Sequence, residues 1–179
     1  MRAAVEAVHS WDHAGLALAH AARIPLFDTL FAAATWLGSL AVLLPLALLV
    51  WWRRRGERSA SFVAVALIGA SALGHLLKLI AGRPRPDLFP SLIPMPEDWS
   101  FPSAHAMQVT AFALAWTLRP GASPGRIEIV ALLGAAVLVF ASRPYLQVHF
   151  PSDVIAGALL ATLWVVLLRR LPVWLEKKQ

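Results

Sequence analysis

Five stretches of the chain read as apolar runs separated by short polar breaks, at 27–52, 59–81, 103–118, 127–141 and 153–168. A bilayer core about 30 Å thick needs roughly 20 apolar residues in a helix. The first run carries one charge, Asp28 at its start, and the second only Lys78 near its end. The last three are short for a full crossing, which suits helices that stop beneath a site sunk below the membrane surface. The pattern predicts an all-α integral membrane protein, one domain over 1–179, with a bundle of five transmembrane helices across 27–171.

The first 25 residues follow a different pattern. Arg2, Glu6, His9, His13, His20 and Arg23 recur at spacings of 3, 4 or 7 and make one polar stripe on an Ala-rich helix. Such a helix is too polar to span and is predicted to lie amphipathically in the membrane interface over 1–25, ended by Pro25. It lacks the long apolar core and cleavage site of a signal peptide, so it is expected to stay on the protein. The spacing of His9, His13 and His20 describes that polar face, and with no acidic cluster beside them no metal site is expected.

Composition sharpens this picture. The 179 residues are 59% hydrophobic and only 15% charged, against about 45–50% and about 25% in soluble domains. There is no Cys, which excludes disulfides and thiolate metal sites. A net charge of +6 is compatible with nucleic-acid binding. In a membrane chain, however, Lys and Arg collect in cytoplasmic loops, so no nucleic-acid partner is expected. Five spans put 52–59, 119–126 and 169–179 on one side. Those segments hold Arg53, Arg54, Arg55, Arg58, Arg119, Arg126, Arg169, Arg170, Lys177 and Lys178, ten of the sixteen basic residues. That side is read as cytoplasmic, with Trp51 and Trp52 as an aromatic belt, the N-terminus outside and the C-terminus inside.

The same topology gathers chemistry on the outer side. A loop over 82–102, punctuated by Pro84, Pro86, Pro90, Pro94 and Pro96, and a turn over 143–152 both face out. Around them lie Lys78, Arg83, Arg85, Ser103, His105, Arg143, His149 and Asp153. Ionisable groups at membrane depth are expensive and mark function. Cations without matching acids need an anion, and phosphate suits them. Singly, each residue has a plainer reading: Lys78 snorkels, a lone His is an interfacial residue, Pro102-Ser103 starts a helix, and Asp153 faces a helix dipole. Together they favour catalysis.

The arrangement resembles the type-2 phosphatidic acid phosphatase superfamily, which includes glucose-6-phosphatase and vanadium haloperoxidases. Its first signature, Lys, six residues, Arg-Pro, matches Lys78 to Arg85-Pro86. Its second, Pro-Ser-Gly-His, matches Pro102-Ser103-Ala104-His105, with Ala104 in place of Gly. Its third, Ser-Arg, five residues, His, three residues, Asp, matches Ser142-Arg143, His149 and Asp153. Many bacterial members have six spans, where five and an N-terminal helix are read here.

The resemblance implies a phosphohistidine mechanism with His149 as nucleophile, and elementary chemistry agrees with the set. Phosphoryl transfer needs charge neutralised on the equatorial oxygens and an in-line nucleophile. Lys78, Arg85 and Arg143 are expected to bind the phosphate, with Ser103 at the start of a helix. Asp153 would hold the imidazole tautomer. His105 is left to protonate the leaving oxygen and later activate water. No metal or other cofactor is expected.

Several neighbours are less defined. Arg83 is expected to meet either the phosphate or a lipid headgroup and solvent, and His75 to pack. Glu97, Asp98 and Trp99 are expected either to touch the substrate headgroup or, since carboxylates repel phosphate, to serve a loop or gating role, which is favoured. The substrate should be an amphipathic lipid phosphate, with membrane lipids as the other partner. Undecaprenyl pyrophosphate is favoured over phosphatidylglycerol phosphate, phosphatidic acid and lipid A phosphate by a site facing the periplasm or cell exterior from a bacterial inner membrane. The rival readings are a lipid phosphotransferase, a lipid-phosphate binding or carrier protein without turnover, and, remotely, haloperoxidase chemistry.

Overall fold

Seven α-helices carry most of the described residues, 2–53 and 58–175, of the computed structural model. They are α1 (Arg2–Ala21), α2 (Pro25–Ala34), α3 (Leu40–Arg53), α4 (Arg58–Ala81), α5 (Ala104–Leu118), α6 (Arg126–Tyr145) and α7 (Pro151–Arg169). No strand occurs among the described residues. Arg54, Arg55, Lys177 and Lys178, used above to orient the chain, lie outside them.

Three helices are long and apolar enough to cross a bilayer, over Ser61–Ala81, Arg126–Tyr145 and Pro151–Arg169. The run at 27–52 is broken rather than continuous. Pro25–Gly38 and Leu40–Arg53 meet at 43°, and would make a fourth span if taken together. At the break Ser39 is extended (φ −76°, ψ 138°) and its hydroxyl caps the Ala41 N–H at 3.1 Å. Gly38 shows why the chain bends there. A Cβ on it would lie 2.6 Å from Val139 Cγ1 and 3.1 Å from the His105 carbonyl oxygen, so only bare backbone fits between α6 and α5.

The predicted span at 103–118 is α5, 15 residues long and hence about 22 Å, shorter than the hydrocarbon core. It is the central helix, packed by α3, α4, α6 and α7. Ala106 through Phe112 and Ala115 are buried, and because every face is covered it shows no amphipathic stripe. Small residues at 106, 111 and 115 let the neighbours close on it, the device by which helices associate where lipid offers no hydrophobic driving force. The outer helices instead expose large side chains such as Ile80, Val130, Leu133 and Leu159, as an integral membrane protein must.

One end of the bundle collects the C-terminal ends of α4 and α6, the N-terminal ends of α5 and α7, and the segments 82–103 and 146–150. At the other end Arg169 Nε donates to the Leu118 carbonyl at 2.9 Å and Trp174 packs edge-on against Phe62 at 5.3 Å. The interfacial helix of the sequence reading is α1. It is more than a surface helix, because it packs on α6 and α7 and buries Asp12 and Leu16 completely.

Candidate active site

The site grows out of the start of α7. Phe150 precedes the helix and Pro151 opens it. Three residues on from Phe150, the Asp153 Oδ2 accepts the free Phe150 N–H at 3.0 Å, so the acid satisfies one of the donors every helix start leaves over. Asp153 also accepts the Ser100 hydroxyl at 2.5 Å and Arg83 Nη1 at 2.5 Å. It has no exposed surface, so these three bonds stand in for water around its oxygens.

His149 sits directly above, 1% exposed. Its Nδ1 lies 3.6 Å from Asp153 Oδ2 and 3.4 Å from Ser100 Oγ. Its Nε2 lies 3.2 Å from Arg85 Nη1. Burial first, and then the nearby charges of Arg143, Arg85 and Lys78, hold the imidazole well below its usual pKa. That direction favours the neutral ring, and a proton on Nδ1, the nitrogen nearer the acid, would leave the Nε2 lone pair towards the cations.

Those cations come from the ends of α4 and α6 and from the segment that follows α4. Lys78, from the last turn of α4, donates to the Trp99 carbonyl and pairs with Asp98 at 3.1 Å. Arg85 donates to the Val148 carbonyl at 2.7 Å, to the Asp98 carbonyl at 2.8 Å, and to the Asp98 carboxylate. Burial alone would raise the Asp98 carboxyl, but the Arg85 hydrogen bond and the Lys78 charge outweigh it and hold it below the usual range. Arg143, in the last turn of α6, donates through Nη1 to Thr35 Oγ1.

Two polar atoms here have no partner. Ser103 Oγ and Arg143 Nε are buried and unbonded, although Ser103 stands at the N-cap of α5, where its oxygen would ordinarily cap the helix. Ser103 is fixed by its own N–H, which donates to the Asp153 carbonyl at 3.1 Å. Gly157 makes that approach possible, because a Cβ there would meet the Ser103 carbonyl oxygen at 2.8 Å. His105, in the first turn of α5, lines a cavity of about 330 Å³ with Arg143, Thr35, Trp36, Ser39 and Ile93, a volume suited to a ligand group.

The structure thus brings together Lys78, Arg85, Ser103, His105, Arg143, His149 and Asp153. It corrects the expectation for Arg83. That side chain, 19% exposed, spans two fully buried acids, with Nη2 on Asp12 at 2.7 Å and Nη1 on Asp153 at 2.5 Å and on Ser152 Oγ at 2.8 Å. Its guanidinium lies 4.1 Å over the Phe150 ring. Two buried carboxylates without a cation would be far more costly than one exposed arginine, which is why it turns inward. His75 is exposed on α4 rather than packed. His13 and His20 stack on Phe150 and Phe89 at 6.4 and 4.2 Å, and among the described residues no group of three His, Cys, Asp or Glu could hold a metal.

Asp12, Ser100, Ser152 and Thr35 escaped the sequence reading. Asp12 accepts the Ser152 N–H and hydroxyl at 2.9 and 2.6 Å, so α1 supplies a second carboxylate to the start of α7. Its signal was an acid three residues after His9, at the stripe's own spacing, one turn before an apolar Leu16. The signal for Thr35 was the Thr-Trp-Leu-Gly-Ser interruption of an apolar run.

Residues 59–177 match the PAP2 superfamily. The chain is 34% identical over 128 residues to an undecaprenyl-diphosphatase of Sulfolobus acidocaldarius, covering 69% of this chain and 60% of that relative's length. It is 31% identical over 176 residues to phosphatidylglycerophosphatase B of Bacillus subtilis, covering 91% of this chain and 84% of the relative. The fold is similar to the crystal structure of a transmembrane PAP2-type phosphatidylglycerolphosphate phosphatase from Bacillus subtilis, with a TM-score of 0.84 at 26% identity over 97% of this chain and 90% of that one. It is also similar to Aquifex aeolicus LpxE, with a TM-score of 0.74 at 28% identity over 87% and 93%. The class that fold and site define is that of the membrane PAP2 phosphatases. The chain belongs to the PAP2 superfamily.

Proposed function

We propose that this chain hydrolyses a lipid phosphate or pyrophosphate monoester through a phosphohistidine on His149, without a metal. The observation that carries the reading is the pair of unbonded buried groups, Ser103 Oγ and Arg143 Nε, on the same site as a neutral His149 whose Nε2 faces Arg85. Lys78, Arg85, Arg143 and Ser103 bind the phosphate oxygens. His149 Nε2 attacks phosphorus as the bond to the leaving oxygen breaks, and His105 gives that oxygen its proton. Water, deprotonated by His105, then attacks the phosphohistidine. The P–N bond breaks, inorganic phosphate leaves, and Nε2 regains its lone pair. Asp153 holds the Nδ1 proton throughout.

Undecaprenyl pyrophosphate heads the substrate panel, supported by the relative named for it and by an outward-facing site. Phosphatidylglycerol phosphate, phosphatidic acid and lipid A phosphate complete the panel. Orientation follows from Arg53, Arg119, Arg126, Arg169 and Arg170, which stand at helix ends remote from the site, with α5 counted as a fifth, short span. A cysteine at Met95 should react with an impermeant maleimide in intact spheroplasts and one at Ser123 should not; the reverse pattern overturns the orientation. The functional test is phosphate release by purified protein across the panel in EDTA. Release in EDTA, stopped by vanadate, is expected. No release from any lipid, or loss in EDTA restored by one divalent metal, refutes the reading.

A further inference from the structure

Lys78 and Arg85 hold a single carboxylate between them, that of Asp98. Its side chain is 44% exposed, whereas those of Lys78 and Arg85 are 3% and 9% exposed. The backbone beside it is tied down separately, since the Trp99 carbonyl accepts from Lys78 and the Asp98 carbonyl accepts from Arg85 Nε at 2.8 Å. A further tie is the Ser100 N–H, which donates to the Arg83 carbonyl at 2.8 Å. The carboxylate can therefore rotate into solvent about its own side-chain bonds while the loop stays in place. Turning it away frees donors on both Lys78 and Arg85, the two cations of the first motif, without unmaking either backbone anchor. An ammonium has three donors and a guanidinium five, so neither is exhausted by its carbonyl partners.

We propose that Asp98 is a charge filter, a specificity residue whose carboxylate holds Lys78 and Arg85 against phosphodiesters and yields them to phosphomonoesters or pyrophosphates. This rests on reading Lys78 and Arg85 as the phosphate ligands. The argument is a competition. A phosphodiester brings one negative charge, the same as Asp98, so it gains nothing in Coulomb attraction by displacing it. It also competes with a tethered group whose effective concentration is on the order of millimolar or more. A phosphomonoester carries about −1.5 to −2 charges at pH 7, nearly doubles the attraction to the two cations, and wins. The need is physical: a site at a bilayer surface faces diester headgroups in great excess over any monoester. Without a filter, cations this well buried would be occupied by bulk lipid.

The test measures turnover of phosphatidic acid in mixed micelles while phosphatidylglycerol, a diester monoanion, replaces neutral detergent. Wild type should be nearly indifferent to phosphatidylglycerol. Asp98→Asn should lower KM for phosphatidic acid and be inhibited by phosphatidylglycerol about tenfold more strongly, the scale of losing a tethered competitor. Asp98→Ser, which removes the carboxylate without an amide in its place, should do the same, so either folded variant decides the matter. Glu97→Gln, one residue away on the exposed side of the loop, should behave as wild type. A raised KM in the Asp98 variants, or diester inhibition no stronger than in wild type, overturns the filter and leaves the phosphatase reading intact. A wild type that hydrolyses no monoester in the panel refutes the phosphatase reading itself and removes the basis of the filter with it.

Discussion

His149 has two flanks that solve the problem of buried charge in opposite ways. On the side of Nδ1, Arg83 is locked between Asp12 and Asp153, both with no exposed surface, and Ser100 and Ser152 fill the remaining hydrogen bonds. Every charge there has a permanent partner. On the side of Nε2, Lys78 and Arg85 share one half-exposed carboxylate, and Ser103 Oγ and Arg143 Nε have no partner. Arg83 and Arg85, two residues apart and chemically identical, fall on different flanks. The difference teaches that a closed, satisfied network orients a ring, whereas donors held only loosely are the ones a substrate can take.

Four experiments break or sharpen that division, beginning with the largest effect. His149→Ala removes the ring the two flanks share and should abolish turnover and any trapped phosphoenzyme with every substrate. His105→Ala should lose about 10² to 10⁴-fold with alkoxide-leaving lipids and recover part of that with p-nitrophenyl phosphate, whose leaving group needs little proton help. Rescue appearing in His149→Ala instead would invert the two roles.

Next comes the orienting flank. On the proposed mechanism, Asp153→Asn should lower kcat by at least about 10²-fold with all substrates, because it misaligns His149 whatever the leaving group. Arg85→Ala, on the other flank, should act mainly through KM. If both variants change KM alike, the two flanks are not functionally distinct.

A smaller effect is expected from Asp12, which touches no reacting atom. Asp12→Ala leaves Arg83 short of a partner in a buried network and should cost about 3 kcal/mol of stability, read as a lowered melting temperature in detergent. The isosteric Asp12→Asn should keep the fold, lower kcat by about tenfold as an outer partner of a positioned group does, and leave KM unchanged. A KM effect would place Asp12 on the wrong flank.

The smallest effect is a shift in a titration. Because burial and the neighbouring cations lower the His149 pKa, the folded ring stays neutral where an unfolded one would take up a proton near pH 6.5. Histidine-selective ¹⁵N NMR should therefore show His149 unprotonated at pH 6.5, with protonation setting in only at markedly lower pH. The neutral ring's contribution to stability is present above the unfolded pKa and fades as pH falls towards the folded one. A midpoint near 6.5 would show that neither burial nor the cations bear on the ring.

Much of this was legible in the sequence, and the reasons are physical. Apolar runs gave the helices because lipid forces every backbone group into them, and α4, α6 and α7 lie on those runs, although α6 and α7, expected to fall short of a full crossing, are long enough to make one. The site residues of the three motifs converge because each motif lies at a helix end on one side of the bundle. The break at 35–39 left only a faint local signal, Thr35, Gly38 and Ser39 inside an apolar run, while the packing that leaves no room for a Cβ on Gly38 against Val139 and His105 is a tertiary fact. The pairing of Arg83 was not legible because its partner Asp12 lies 71 residues away in sequence, on a helix read only as interfacial.

The salt bridge from α1 to Arg83 also bears on exchanging parts between relatives. The family match begins at residue 59, yet Asp12 lies well before it and holds an arginine inside it. A chimera joined at that boundary would bring its own arginine and inherit whatever residue its host's first helix presents. Where that residue is not an acid at the matching height, the transplanted segment could carry all three motifs intact and still hold its His149 counterpart askew. The smallest exchangeable unit of this protein is therefore wider than its recognisable motifs, and α1 travels with them as a keyed part.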